Sequence, residues 1–411
     1  MKRYTALQHG LILLAMTAMA HTAHASPSPS FNVQNWISND CISYHIMNSG
    51  NSSVLRQIEA RCPAGNASNL FTGGSLLEYR VGETSHGLSE HLRLSREMED
   101  FSDFIESISG PSRFSSNQTS TTASGRNAGE AYGNIGVWGN VSNASLNDTF
   151  VNTPFDSSSR NGTIGADVLV NDRFIVGAAF GYEDGNVDTL LNTGHQDING
   201  YTISGYAATL LGRHFSIDGN LGYTNTDIDQ TRLVSAFEVA AGTPLAGAGA
   251  GATAGSSVDT DRWFIAINLN GNWDFNHLLV NAHGGYLYSE EDQDASTETA
   301  ASAAGALFTA PVASQSFKLG QWRIGGELSY DYQSFLEPFV GLDYLYNNTR
   351  TKLRLAPGLK QPSNDRSELQ YTVGMRYFGD NGISGTVQYT VSGSKTDMNY
   401  SAFMLTLRAD L

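Results

Sequence analysis

The chain has 411 residues, with 24 Lys and Arg against 40 Asp and Glu and a formal net charge of −16. That balance excludes a protein that binds nucleic acid by neutralising phosphates. No apolar run of ~18 residues follows the N-terminus, so no transmembrane helix is available, and a mean hydropathy of −0.25 is what a membrane barrel shows when only alternate residues meet lipid.

The first 25 residues read as a secretory signal. Lys2 and Arg3 precede an apolar run from Leu11 to Ala20, and Ala23-His24-Ala25 supplies a small-x-small cleavage site. The run is too short to remain as a membrane anchor. Export places the two cysteines, Cys41 and Cys62, in an oxidising compartment, where they are a candidate disulfide. A bridge closing a loop of roughly 20 residues stabilises by about 3 kcal/mol. Two cysteines alone do not make a zinc site.

Residues 26–110 are a small mixed segment with aromatics at Trp36 and Tyr44 and a candidate helical turn over Ser53 to Ala60. From Leu88 to Ile108 the apolar residues Leu88, Leu92, Phe101, Phe104, Ile105 and Ile108 gather near one side, which predicts a helix stopped by Gly110-Pro111. Residues 111–130, rich in Ser and Thr, read as a linker.

From residue 131 the period changes to two. Near the end, Phe403, Leu405, Leu407, Ala409 and Leu411 alternate with Ala402, Met404, Thr406, Arg408 and Asp410, so one strand face is apolar and the other wet. Twelve such strands are predicted, at 131–142, 161–170, 173–184, 198–211, 214–228, 260–275, 277–289, 316–332, 335–348, 366–378, 381–393 and 398–411. Short connections near 171–172, 212–213, 275–277, 332–334 and 378–381 alternate with longer ones at 143–160, 185–197, 229–259, 290–315, 349–365 and 394–397. Short periplasmic turns, long outer loops and an even strand number describe an all-β membrane protein: a 12-stranded antiparallel outer-membrane β-barrel over 131–411, preceded by a small, partly helical segment. The loops at 229–259 and 290–315 are rich in Ala, Gly, Ser and Thr, and Ala246 to Gly255 is nearly all small residues, which predicts mobility. Tyr182, Tyr223, Tyr286, Tyr288, Tyr330, Tyr344, Tyr346, Tyr377 and Tyr389 fall where interfacial girdles are expected.

The hairpin from Gly162 to Tyr182 joins a small-residue strand, the short turn Asn171-Asp172 and a strand ending Gly177-Ala178-Ala179-Phe180-Gly181-Tyr182. With the strand count, the loop pattern and the signal, it resembles the autotransporter β-domain, the translocator of type V secretion, over about 131–411. The resemblance implies a barrel in the outer membrane of a Gram-negative bacterium, inserted by the barrel assembly machinery and in contact with lipid and lipopolysaccharide. It also implies a lumen segment leading to an exported passenger. Residues 26–110 would be an unusually short passenger, and the chain ends on Leu411 where many outer-membrane barrels end in an aromatic.

The strand phases point a set of charged side chains into the lumen, with Asp218, His283, Arg323, Glu327, Arg376 and Arg408 as the candidates. Such residues pair with one another or with a peptide threaded between them. As plain solvated charges their pairing is worth little. Arg350, Lys352, Arg354, Lys360 and Arg366 form a positive cluster around one outer loop, suited to phosphate or an acidic host surface. The Gly-x-Ser-x-Gly, His-Glu-x-x-His and Walker patterns do not occur. Ser75, Ser85, His86 and His91 make no recognisable hydrolase signature, so no catalytic, cofactor or metal residue is assigned. Two functions remain: a surface protein that anchors and exports its own N-terminal segment for secretion, adhesion or display as an antigen, or a stand-alone pore with residues 26–130 as plug or periplasmic appendage.

Overall fold

The computed structural model describes residues 67–98 and 135–411, apart from 150–153, 172, 190–192, 213, 235–237, 240–241, 276, 333–334, 351–364 and 380–381. The signal, Cys41 and Cys62, the turn at 53–60, the linker at 111–130 and most of the basic loop lie outside the described residues.

Among the described residues, fourteen strands form one antiparallel sheet. They are β1 (Ile135–Asp148), β2 (Phe155–Asn171), β3 (Phe174–Thr189), β4 (Gly194–Leu210), β5 (Phe215–Leu233), β6 (Thr253–Phe275), β7 (Leu278–Gln293), β8 (Ser296–Ala301), β9 (Leu307–Val312), β10 (Gln315–Tyr330), β11 (Leu336–Arg350), β12 (Ser367–Phe378), β13 (Ile383–Gly393) and β14 (Met398–Asp410). Twelve of them, β1–β7 and β10–β14, close into a barrel. The seam pairs β1 with β14 from Gly136 opposite Asp410 to Asp148 opposite Met398. Closure leaves no unpaired edge in the hydrocarbon, where an unsatisfied backbone group costs several kcal/mol.

Period-two alternation sorts the side chains as expected. Val137, Ile164, Phe180, Ile203, Leu221, Leu269, Ile324, Val340, Val373 and Phe403 are exposed on the lipid face. Tyr182, Tyr201 and Tyr223 mark the outer interface, and Phe275, Tyr330, Tyr332 and Tyr377 the turn end. Tyr286 and Tyr288 are half-buried, their rings 4.7 Å from Trp322 and 5.2 Å from Trp263.

The strands run further outward than their apolar alternation does. The second strand begins at Phe155 rather than 161, and the sixth at Thr253 rather than 260. The added residues include Ser157, Ser158 and Ser159 on β2 and Ser256 and Ser257 on β6. Above the lipid the outward face is polar, so an apolar lipid-facing set no longer marks the strand. The 290–315 connection, expected as a mobile loop, contains the β8–β9 hairpin, with Ala254 of β6 opposite Ala300 of β8. Ala246–Ala248 is a 3-10 turn, and Val234, Leu245, Ala248, Ala254, Ala300 and Ala310 bury one another. Arg232 anchors this outer wall, bonded to Glu238 at 2.8 Å and Glu298 at 2.7 Å.

A helix, α1 (Ala67–Met98), lies inside the barrel. It begins 21 residues before the predicted start at Leu88 and is described to Met98. The first half carries a weak helix signal because Gly73, Gly74, Gly82 and Gly87 lower helix propensity and polar residues surround its apolar stripe. Its 32 residues span about 48 Å at ~1.5 Å per residue, more than the ~30 Å hydrocarbon layer. No described helix is apolar enough to cross a membrane by itself; this one crosses inside the barrel wall.

Candidate functional site: the lumen and its helix

Leu77, Val81, Leu88 and Leu92 repeat at helical spacing and pack on Trp138, Ile175, Phe264 and Phe317 of the wall. This stripe fixes the helix rotation. The remaining faces are held by polar contacts at successive depths.

At the end of the barrel with the long connections, Glu78 accepts from Lys395 at 2.7 Å, and Lys395 also pairs with Glu368 at 2.7 Å. Tyr79 donates to Glu368 at 3.1 Å and stacks on Tyr400 with ring centroids 4.5 Å apart. Next along the helix, Arg80 pairs with Glu183 and, at 3.4 Å, with Glu291. Arg262 pairs with the same two carboxylates at 2.9 and 3.5 Å. Two guanidinium groups and two carboxylates form a neutral quartet, which offsets the desolvation each charge suffers when buried. Glu83 accepts from Tyr400 at 3.2 Å and Asn161 at 2.5 Å.

At mid-depth Arg323 donates to His86 Nδ1 at 3.3 Å and to Asp343 at 2.8 Å, and the Gln388 amide meets His86 Nε2 at 2.7 Å. His283 lies 2.5 Å from Asp343. Asp218 accepts from Ser89 at 3.2 Å, Asn268 at 2.9 Å and Asn270 at 2.7 Å. A cavity of about 100 Å³ remains on this side, between Ser85 and Ser89 of the helix and the wall at Asp218, Asn268, His283 and Asp343. Ser85 faces Asn220 at 3.4 Å, so Ser85 and His86 engage different walls.

Toward the turn end, Arg93 grips Glu327 with two hydrogen bonds of 3.1 and 2.8 Å. Arg376 takes the same carboxylate at 2.8 and 2.9 Å and reaches Glu337 at 2.9 Å and Glu90 at 3.4 Å. Its guanidinium lies 4.1 Å above the Phe339 ring, a cation–π contact. His91 stacks on Trp138 at 3.9 Å, with its Nε2 3.6 Å from Asp167. Arg408 holds Asp167 at 2.8 and 2.7 Å.

The geometry therefore places Asp218, His283, Arg323, Glu327, Arg376 and Arg408 along the helix or beside it, at two depths. It adds wall residues that sequence reasoning left out: Glu183, Arg262, Glu291, Glu368 and Lys395. The phase of β3 would have found Glu183, one residue past the outward Tyr182, and that of β6 Arg262, one residue before Trp263. The helix partners Glu78, Arg80, Glu83, Glu90 and Arg93 had no such periodic marker.

The contacts also give the helix a direction. Residues 78–80 meet the outer ends of β3, β6, β7 and β12, and residues 90–93 the turn ends of β10, β12 and β1. The helix N-terminus thus faces the outer mouth, and its C-terminus faces the mouth where β1 begins.

A model of the family described as "Autotransporter beta-domain" matches residues 137–390. Among solved structures, the translocator domain of the autotransporter NalP from Neisseria meningitidis aligns with TM-score 0.53 and 15% identity, covering 68% of this chain and 89% of that one. The β domain of the Bordetella autotransporter BrkA aligns with TM-score 0.49 and 13% identity, covering 68% and 100%. No curated protein matches the sequence.

Proposed function

The chain belongs to the autotransporter β-domain family, outer-membrane translocator barrels, and from that premise we propose that this barrel exports and anchors its own N-terminal segment. The helix direction carries the reading. With Glu78 tied to Lys395 at the outer mouth and Arg93 tied to Glu327 near the turn end, the residues before 67 leave on the cell-surface side. Met98, the last described residue of the helix, and Ile135, the first of β1, lie toward the same, periplasmic mouth. The exported part is then 26–66, the passenger is shorter than 26–110, and the helix is the stalk that stays behind.

Translocation of this kind needs no cofactor in the barrel. A wet lumen with charges of both signs lets a polar backbone pass, and the matching contacts at successive depths hold the stalk once it arrives. Adhesion or antigen display would be a property of 26–66 and the outer loops. Lipid contacts the exposed apolar belt, lipopolysaccharide the basic loop, and the barrel assembly machinery inserts the whole. Protease added to intact cells tests the reading: residues 26–66 should be digested, and their protection until the outer membrane is opened would contradict it.

The cavity of about 100 Å³ beside the helix favours a second reading, a pore with a plug. Single-channel recording separates the two. A plugged pore gains a large conductance when 26–130 is deleted and shows no surface-exposed N-terminal segment.

A further inference from the structure

One buried carboxylate of the lumen is held by neutral donors alone. Asp218, on β5 at mid-depth, is 3% exposed. Its hydrogen bonds come from Ser89 and Asn268 on one oxygen and from Asn270 on the other. The cations nearby are committed elsewhere. Arg93 is on Glu327 at 2.8 Å, Arg323 on Asp343 at 2.8 Å and His283 on Asp343 at 2.5 Å. Among the described residues, none of the ion pairs in the lumen includes Asp218.

The surroundings follow from strand register. Asp218 is opposite Asn268, and Ser216 opposite Asn270. Asn220, two residues along the same face of β5, lies 3.4 Å from the Ser85 hydroxyl. Ser85 and Ser89 are four apart on the helix, so both hydroxyls meet the same strip of wall. Gly285 of β7 lines the cavity as well. A Cβ there would overlap the Asn268 side-chain oxygen, so the glycine leaves room for the amide that reaches Asp218.

A carboxylate removed from water without an opposing charge is costly, and neutral hydrogen bonds offset only part of that cost. A carboxylate offers about four acceptor positions, and three are taken. Beside it lies the cavity of about 100 Å³, room for an ion and several waters at ~10–15 Å³ each. The Arg323 and His283 side chains on its wall are 26% and 19% exposed, so the space is open to water. The oxygens that face it from Asp218, Ser85, Ser89 and Asn220 are the ligand type of hard cations. No group of three or more His, Cys, Asp or Glu that could hold a metal ion occurs among the described residues, and one uncompensated negative charge matches one positive charge.

We propose that a monovalent inorganic cation, sodium or potassium, binds in this cavity at Asp218, with waters completing its shell, and bridges β5 and β6 to Ser85 and Ser89 of the helix. Docking of the helix is then dependent on that ion. The site stands apart from the export reading, since a barrel that exports nothing would hold the ion equally well.

The test uses the full-length protein in a non-ionic detergent, with N-methylglucamine chloride exchanged for sodium or potassium chloride at constant ionic strength. Thermal unfolding is followed by circular dichroism, and hydrogen exchange over residues 85–89. The unfolding temperature should rise with the logarithm of the small cation's concentration, and exchange should slow several-fold. Asp218→Asn should abolish both effects, whereas Asp227→Asn, an exposed carboxylate of the same strand, should keep them. Equal behaviour in N-methylglucamine and the small cations, or an undiminished effect in Asp218→Asn, would overturn the proposal. So would a response to calcium with none to sodium or potassium. Should Asp218→Asn fail to fold, Ser85→Ala with Ser89→Ala should raise the half-saturating concentration several-fold, and an unchanged value would overturn the site. Protease protection of 26–66 on intact cells with the sodium effect intact removes export and leaves the site; exposed 26–66 without the effect removes the site alone.

Discussion

Arg408, on the last strand, holds Asp167, on the second, with hydrogen bonds of 2.8 and 2.7 Å that pass over the first strand at Gly136. A Cβ at Gly136 would overlap the Arg408 guanidinium. The pair staples the seam where the barrel's first and last strands meet, and His91 and Trp138 cover it from the lumen.

Breaking the staple takes one of two carboxylates from the buried Arg408 guanidinium, which Asp410 still pairs at 2.8 Å, so the cost stays below the ~3–5 kcal/mol of a fully unpaired buried charge. Asp167→Ala and Gly136→Val should each lower the temperature at which the folded barrel band converts to the unfolded band on a gel. Arg408→Ala combined with Asp167→Ala should cost less than the two single changes summed. Additive costs would show that the two residues act independently.

The Arg93–Glu327–Arg376 cluster locks the helix near its periplasmic end. Glu327→Ala removes the carboxylate that Arg93 and Arg376 share, leaving Arg376 on Glu337 and Glu90, and should loosen the helix, read as frequent conductance bursts in planar bilayers. A double-mutant cycle between Arg93 and Glu327 should give a coupling of about 1–3 kcal/mol.

Leu88 is 1% exposed within the lumen's apolar cluster. Leu88→Ala should destabilise helix docking by about 2–4 kcal/mol without altering strand content. Hydrogen exchange over residues 77–94 would rise while exchange in the barrel strands stays low.

Arg232 bonds to both Glu238 and Glu298. Arg232→Ala should free the outer wall at β8 and β9 and make 296–312 protease-sensitive, leaving heat resistance of the barrel unchanged. Loss of the barrel itself would mean that this wall supports the membrane part.

The barrel was legible because lipid imposes one rule on every wall strand. Phe403, Leu405 and Leu407 announce an outward face by alternation alone. That rule stops where lipid stops. Val187 and Asp188 continue the alternation of β3 with reversed chemistry, and nothing local says that Val187 now faces a bore in water. The helix was half legible for a related reason. It is buried among polar groups, so Glu78, Arg80 and Glu83 are solved by partners such as Lys395, Glu183 and Tyr400, some 100 to 320 residues away in the chain. Long-range pairing of that kind leaves no period to read.

The direction of the helix, Ala67 toward the outer mouth and Met98 toward the periplasmic one, decides where the flanking segments lie. Two single-cysteine variants measure it in intact cells lacking Cys41 and Cys62, with a maleimide too polar to cross the outer membrane. Ser52→Cys should label at once, and Ser116→Cys only after the outer membrane is permeabilised. Immediate labelling of Ser116→Cys with protection of Ser52→Cys would contradict the account.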